Sequence, residues 1–201
     1  MHIFIVYAHP SEKSFTHEIL ETFIKGLNEA FHTYEISDLY KMDFRSDMDL
    51  HEYERESGRN KLRSVPDDVK EEQDKIDRAD VLVFIYPVWW SDCPAKLKGW
   101  FDRIYTLGYA YSFENGERTG SKIKVKKTLI LCPAGHPVEH LEKIGIAESM
   151  RTIMIKDRLF NVGIKKAKMV ILGGMTLNNP KVRKENLQSA FNFGKNISGI
   201  W

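Results

Sequence analysis

The chain has only two cysteines, Cys93 and Cys132, and they form neither a metal-ligand spacing nor a disulfide framework. No metal site is expected. Both cysteines flank apolar sequence, a setting of reduced thiols, so a cytoplasmic protein is expected. Long apolar runs are missing as well. No segment approaches the roughly 18 residues that a membrane-crossing helix requires. No basic region followed by a cleavable apolar stretch opens the chain. Neither charge sign prevails: 30 basic residues face 28 acidic ones, which gives no electrostatic footprint for nucleic acid. The short basic run Lys122, Lys124, Lys126 and Lys127 alternates with apolar residues and reads as a solvated edge before a strand. Internal repeats and low-complexity tracts are absent. Neither the G-x-G-x-x-G of a dinucleotide fold nor the lysine of a P-loop occurs. What is left, over 201 residues, suffices for one domain with a three-layer core.

The most informative stretch that is present runs from residue 81 to residue 104. It opens with Val81, Leu82, Val83, Phe84, Ile85 and Tyr86, a run too short and too β-branched or aromatic for a helix. Such a run suits a parallel strand buried on both faces. Pro87 ends the strand, and Trp89 and Trp90 follow in a loop. Pro94 then opens a helix whose apolar face is Leu97, Trp100, Phe101 and Ile104.

Strand and helix alternate from end to end, which predicts a parallel sheet with helices on both faces. The strands are expected at 3–7, 34–39, 81–86, 128–131 and 169–172. The first helix carries a stripe of Ile19, Leu20, Phe23, Ile24 and Leu27. Helices are expected at 67–78 and 94–107, and a closing one at 182–197 burying Leu187, Ala190, Phe191 and Ile197. Residues 41–66 are charged and without period, and read as an excursion covering a site. The fold expected is an α/β three-layer sandwich, flavodoxin-like, with five parallel strands in the order 2-1-3-4-5.

That order brings three loops to one crevice. The first carries His9, Ser11, Ser14, Phe15 and Thr16 before a helix start, where free N–H groups and the helix dipole favour a phosphate. Two roles compete for Ser14 and Thr16: phosphate contact and helix capping. The second, Pro87, Val88, Trp89, Trp90 and Ser91, must expose at least one tryptophan, because adjacent indoles cannot easily point the same way. The third, residues 132–137, contains Pro133, Ala134 and Gly135, small enough for backbone to approach a ligand closely.

Three motifs then converge. Pro87-Val88-Trp89-Trp90 is followed by Pro94-Ala95-Lys96-Leu97-Lys98-Gly99-Trp100-Phe101-Asp102-Arg103. Tyr7-Ala8-His9-Pro10 precedes Ser14-Phe15-Thr16, and Gly108-Tyr109-Ala110-Tyr111 comes after the helix. On these residues, and over most of its length, the chain resembles the NAD(P)H:quinone oxidoreductase family of flavodoxin-like flavoproteins. The resemblance implies a flavin, FAD in preference to FMN, with NADH or NADPH as co-substrate. His9, Ser14, Phe15 and Thr16 would hold its phosphate arm. Pro87, Val88, Trp89, Trp90 and Ser91 would contact the ring, with Pro133, Ala134 and Gly135 donating backbone contacts to its other edge. Tyr111 and Phe113 would line the quinone pocket across a dimer interface.

Two departures stand out. The family's Thr-Thr-Gly-Gly loop is Cys132-Pro133-Ala134-Gly135 here. The tyrosine and histidine that assist hydride transfer in the animal enzymes have no clear counterparts. His140, near the tyrosine's place, is the catalytic candidate, with His136 nearby. The implied activity is a ping-pong transfer of hydride from NAD(P)H to flavin and then to a quinone-like acceptor. The alternatives are an FMN-dependent azo- or nitroreductase, or a flavin-bound ancillary subunit of a membrane ion-efflux system. A homodimer is expected on physical grounds also: Trp100, Phe101, Tyr105, Tyr109, Tyr111 and Phe113 crowd one stretch, and an exposed aromatic patch marks an interface.

Overall fold

The computed structural model describes residues 1–201. Its sheet has five parallel strands: β1 (His2–Tyr7), β2 (Thr33–Asp38), β3 (Val81–Ile85), β6 (Lys127–Pro133) and β7 (Lys166–Leu172). They lie in the order β2-β1-β3-β6-β7. This is the expected 2-1-3-4-5 once a small antiparallel hairpin, β4 (Ser112–Glu114) with β5 (Glu117–Thr119), is set aside. Side-chain alternation along the strands builds two cores. Phe4, Val6, Leu82 and Phe84 enter one, while Ile3, Ile5, Val81 and Val83 enter the other.

Two helices cover the second face. In α1 (Phe15–Glu29), Ile19, Leu20, Phe23 and Leu27 are buried at helical spacing, with Ile24 half-buried beside them. Its neighbour α7 (Pro180–Lys195) starts from the Asn179 cap with Pro180 in its first turn, two residues earlier than expected. Ala190 and Ile197 are buried there, but Leu187 and Phe191 only half so. The other face carries α3 (Asp67–Arg78), α4 (Ala95–Ile104), α5 (Val138–Lys143) and α6 (Ile146–Arg151). A π-helical segment, Thr152–Leu159, continues directly from α6. No helix is long and apolar enough to cross a membrane.

Residues 41–66 hold a helix that the missing period concealed, α2 (Leu50–Ser57). Its start is a capping box: Asp49 accepts from the Glu52 N–H at 2.8 Å, and Glu52 accepts from the Asp49 N–H at 2.9 Å. Glu52 then binds Arg103 of α4 at 2.7 Å, and Arg103 forks onto Asp68 of α3. The excursion is thus bolted to α3 and α4 by buried charge.

The expected exposed aromatic patch does not form. Trp100, Phe101 and Tyr109 are buried, and Trp100, Phe101 and Tyr105 pack edge to face with one another. Phe84 of β3 completes that cluster. Edge-to-face geometry lets several rings share one core, which is why the crowding needs no outside surface. Tyr111 and Phe113 remain half-buried at the hairpin.

Candidate functional site

The carboxyl ends of β1, β3 and β6 are adjacent in the sheet, so the three loops that follow them meet at the crevice where the strand order reverses. In the first loop Ser14 is the N-cap of α1, its Oγ accepting from the His17 N–H at 3.1 Å. The Phe15 and Thr16 N–H groups bond to no other group of the chain, and they stand at the positive end of the α1 dipole. His9 Nδ1 lies 3.0 Å from the Ser11 N–H, and burial lowers the His9 pKa. His9 Nδ1 also lies 3.2 Å from Ser11 O; the tautomer that accepts from the Ser11 N–H carries its proton on Nε2, and the other donates Nδ1–H to Ser11 O. The Tyr7 hydroxyl is buried beside Ser14 but in hydrogen-bonding geometry with nothing, and burial pushes its pKa up to about 12. A cleft of about 570 Å³ opens here between this loop and the end of β2, lined by Tyr7, His9, Ser11, Lys13, Tyr40 and Lys41.

The second loop is a tight turn. Trp89 and Asp92 exchange N–H···O bonds of 3.0 and 3.1 Å around Trp90 and Ser91, whose φ values are +48° and +67°. Both central residues are left-handed, as in a type I′ turn, and each non-glycine residue there costs about 1–2 kcal/mol. Trp90 is wholly solvent-exposed, and the Trp89 ring packs edge to face on His9. The N–H groups of Val88 and Trp89 are committed, to Pro133 O and Asp92 O, whereas those of Trp90 and Ser91 are unpaired.

The third loop corrects the expectation of backbone donation from Pro133 and Ala134. Proline has no N–H, and Ala134 spends its own on Leu172 O at 3.1 Å, extending the β6–β7 ladder. The unpaired donors are Gly135 and His136. His136 and His140 are both exposed, rings 5.0 Å apart, and neither side chain bonds to another residue.

Tyr111 and Phe113 do not join these loops. The helix α4 leaves the crevice and carries the chain about 15 Å down the sheet before the hairpin begins. There Tyr111 donates to Glu56 at 2.9 Å, and Phe113 packs under Arg59. Burial and the Glu56 carboxylate together push the Tyr111 phenol to about 12. Two residues at the crevice escaped the sequence reading. Asp92 accepts two bonds from Arg158, at 3.0 and 2.9 Å, and one from the Cys93 N–H at 2.7 Å. Asp92 closes a four-residue turn that only the fold reveals, and nothing in the sequence pointed to Arg158. Burial pushes the Cys93 thiol to about 12, so it is no thiolate nucleophile.

The residues present fit a flavin. Unpaired N–H groups at a helix start suit its phosphate, and unpaired N–H groups on either side of the crevice suit the acceptor atoms of its ring.

Comparison with known proteins agrees with this geometry. The family model of the flavodoxin-like fold matches residues 1–192. A solved NAD(P)H:quinone oxidoreductase from Methanothermobacter marburgensis is 52% identical, covering 100% of this chain and 98% of its own, with a TM-score of 0.94. An uncharacterized NAD(P)H oxidoreductase of Haemophilus influenzae is 31% identical over 94% of this chain and 92% of its own. The ribosyldihydronicotinamide dehydrogenase [quinone] of Mus musculus is 28% identical over 99% and 91%. The chain belongs to the flavodoxin-like family, as a relative of its NAD(P)H:quinone oxidoreductases.

Proposed function

We propose that this chain is a flavin-dependent oxidoreductase that oxidises NADH or NADPH and reduces a quinone-like acceptor by two electrons, both through one crevice. One observation carries the reading: unpaired N–H groups line the ends of three neighbouring strands beside an exposed tryptophan. The bound flavin supplies the hydride chemistry, and the protein supplies position and electrostatics. FAD is the flavin the quinone-reductase resemblance implies; extraction and chromatography distinguish it from FMN.

The Phe15 and Thr16 N–H groups, and His9 in its Nε2–H tautomer, hold the phosphate arm, with Ser14 fixing the helix start. On the ring side, the unpaired Trp90, Ser91, Gly135 and His136 donors would stabilise negative charge on the bound ring. Trp89, packed on His9, borders the crevice, and the exposed Trp90 indole is available to stack on the ring. In balance, NAD(P)H gives up a hydride and becomes NAD(P)⁺, and the quinone gains two electrons and two protons. Exposed His136 and His140 are the side chains available to hand a proton to a quinone oxygen.

Tyr111 and Phe113 lie too far down their own chain to line its crevice, so we assign them to a second copy's crevice in a homodimer. The remaining features fit one flavin-binding domain over residues 1–201 working in the cytoplasm. The azo- or nitroreductase and ancillary-subunit readings have no observation of their own here. The test is turnover: flavin-loaded protein should oxidise NADH or NADPH in the presence of a simple quinone. Failure with both nucleotides and with quinones, azo dyes and nitroaromatics alike would sink the reading.

A further inference from the structure

The turn at Trp90 and Ser91 has a conformation its residues do not favour. Left-handed positions in such turns belong to glycine, asparagine and aspartate, yet a tryptophan and a serine occupy them. A conformation of this kind persists only where surrounding structure imposes it. The next residue supplies the anchor. Both carboxylate oxygens of Asp92 are gripped by Arg158, and Oδ1 also takes the Cys93 N–H. Arg158 is distant in sequence and sits in the π-helical segment that follows α6. Its side chain is more than nine-tenths buried, its guanidinium lying 5.3 Å from the centre of the Phe101 ring. A π-helical segment is a rare device that is frequent at functional sites, and this one delivers a rigid, planar fork to the base of the turn.

We propose that the Asp92–Arg158 fork is a positioning device for the flavin ring: it holds the Trp90–Ser91 turn so that the two unpaired N–H groups and the Trp90 indole stand in place at the crevice. The inference rests on the flavin reading above. Arg158 acts through Asp92 and the turn, so it is a positioning residue and not a catalytic one.

Three variants test it: Arg158→Met, Arg158→Lys, and Arg158→Met combined with Ser91→Gly. Amide exchange in the flavin-free protein reads the turn directly, at the Trp89 and Asp92 N–H groups, with α1 amides as the internal control. Titration with FAD and with riboflavin reads the consequence. In Arg158→Met the turn amides should exchange about tenfold faster while α1 is unchanged, and both flavins should bind about tenfold more weakly. Riboflavin must suffer as much as FAD, because the turn serves the ring and not the phosphate arm. Arg158→Lys, a point charge without a fork, should fall between. Ser91→Gly should recover much of both losses, since glycine needs no clamp to be left-handed.

Unchanged exchange, or faster exchange with unaltered affinity, overturns the proposal. So does equal acceleration in α1, which would make Arg158 a general fold residue. A wild-type chain that binds neither flavin overturns the flavin reading and the fork's purpose together. The exchange data would then still tell whether the fork holds the turn.

Discussion

His9 and Trp89 meet edge to face, ring centroids 5.8 Å apart, and this contact ties the loop after β1 to the loop after β3. The loop proposed to hold the phosphate arm and the loop proposed to serve the ring are therefore one unit. Trp90, the next residue in the same loop, is wholly exposed. The two tryptophans should behave differently. Trp89→Ala should lower stability by about 0.5–1.5 kcal/mol and loosen both loops. Trp90→Ala should leave Tm unchanged, because nothing buried is lost, yet weaken flavin binding about 2- to 10-fold. Thermal unfolding and flavin titration on the two variants check this; a matching loss of Tm in Trp90→Ala would contradict it.

The packing of α1 on α7 depends on two glycines. A Cβ at Gly26 would lie 2.3 Å from Phe191 O, and one at Gly194 would lie 2.2 Å from Phe23 O. No side-chain rotation relieves a clash with backbone, so the helices must separate. Gly26→Ala or Gly194→Ala should each cost about 3 kcal/mol, or roughly 6–12 °C in Tm for a chain of this size. Calorimetry of both variants decides; a drop of under 2 °C or so would show that the helices slide apart freely.

The excursion over residues 41–66 is held by Arg103, which is fully buried and bonds Glu52, Asp68 and the Arg45 carbonyl. Removing one partner of a buried pair typically costs about 3–5 kcal/mol. Glu52→Ala also deletes the capping box, so α2 should be released before the sheet melts. Trypsin should then cut at Arg59 or Lys61 much faster than in the wild type. Equal cleavage rates would mean that the network does not hold the segment.

Stability should also fall in acid. The Glu35, Asp68 and Asp92 carboxyls are partly buried, which opposes ionisation, but Arg78, Arg103 and Arg158 outweigh this and lower all three pKa values. Their ordinary values are 4.5 for Glu and 3.8 for Asp, so the unfolded chain takes up more protons in that range. Stability from these pairs is therefore full above about pH 5 and lost as pH falls through the lowered values. Urea midpoints measured from pH 7 to pH 3.5 should decline below about pH 5, and Glu35→Gln should flatten part of the slope. A midpoint constant over that range would refute the assignment.

Much of this architecture was legible because its signals are local. Val81 to Ile85 is apolar at every position, and Ser14 and Pro94 mark helix starts. Strand order then placed the three loops together. Other elements had signals that went unread: Asp49 and Glu52 stand at capping-box spacing, and Asn115-Gly116 is a hairpin turn sequence between β4 and β5. The segment from Val138 to Val162 also carries apolar residues at helical spacing, Leu141, Ile144, Ala147, Met150 and Met154, and only its π-helical stretch departs from an α-helical period. Which N–H groups stay unpaired was out of reach, since sheet register decides it: Ala134 is spent on Leu172 and Gly135 is not. The inward turn of Trp100, Phe101 and Tyr105 was equally hidden, because it follows from how Phe84 meets the first two across the core and how Tyr105 packs on them.

The central claim is most directly tested by the absorbance spectrum of the purified protein, before and after added FAD or FMN, then NADPH or NADH, then a quinone. The account predicts oxidised-flavin bands, bleaching by the nicotinamide and recovery with the quinone, with the pigment identified after heat release. A colourless protein that takes up neither flavin would contradict it and leave a flavodoxin-like fold serving another purpose.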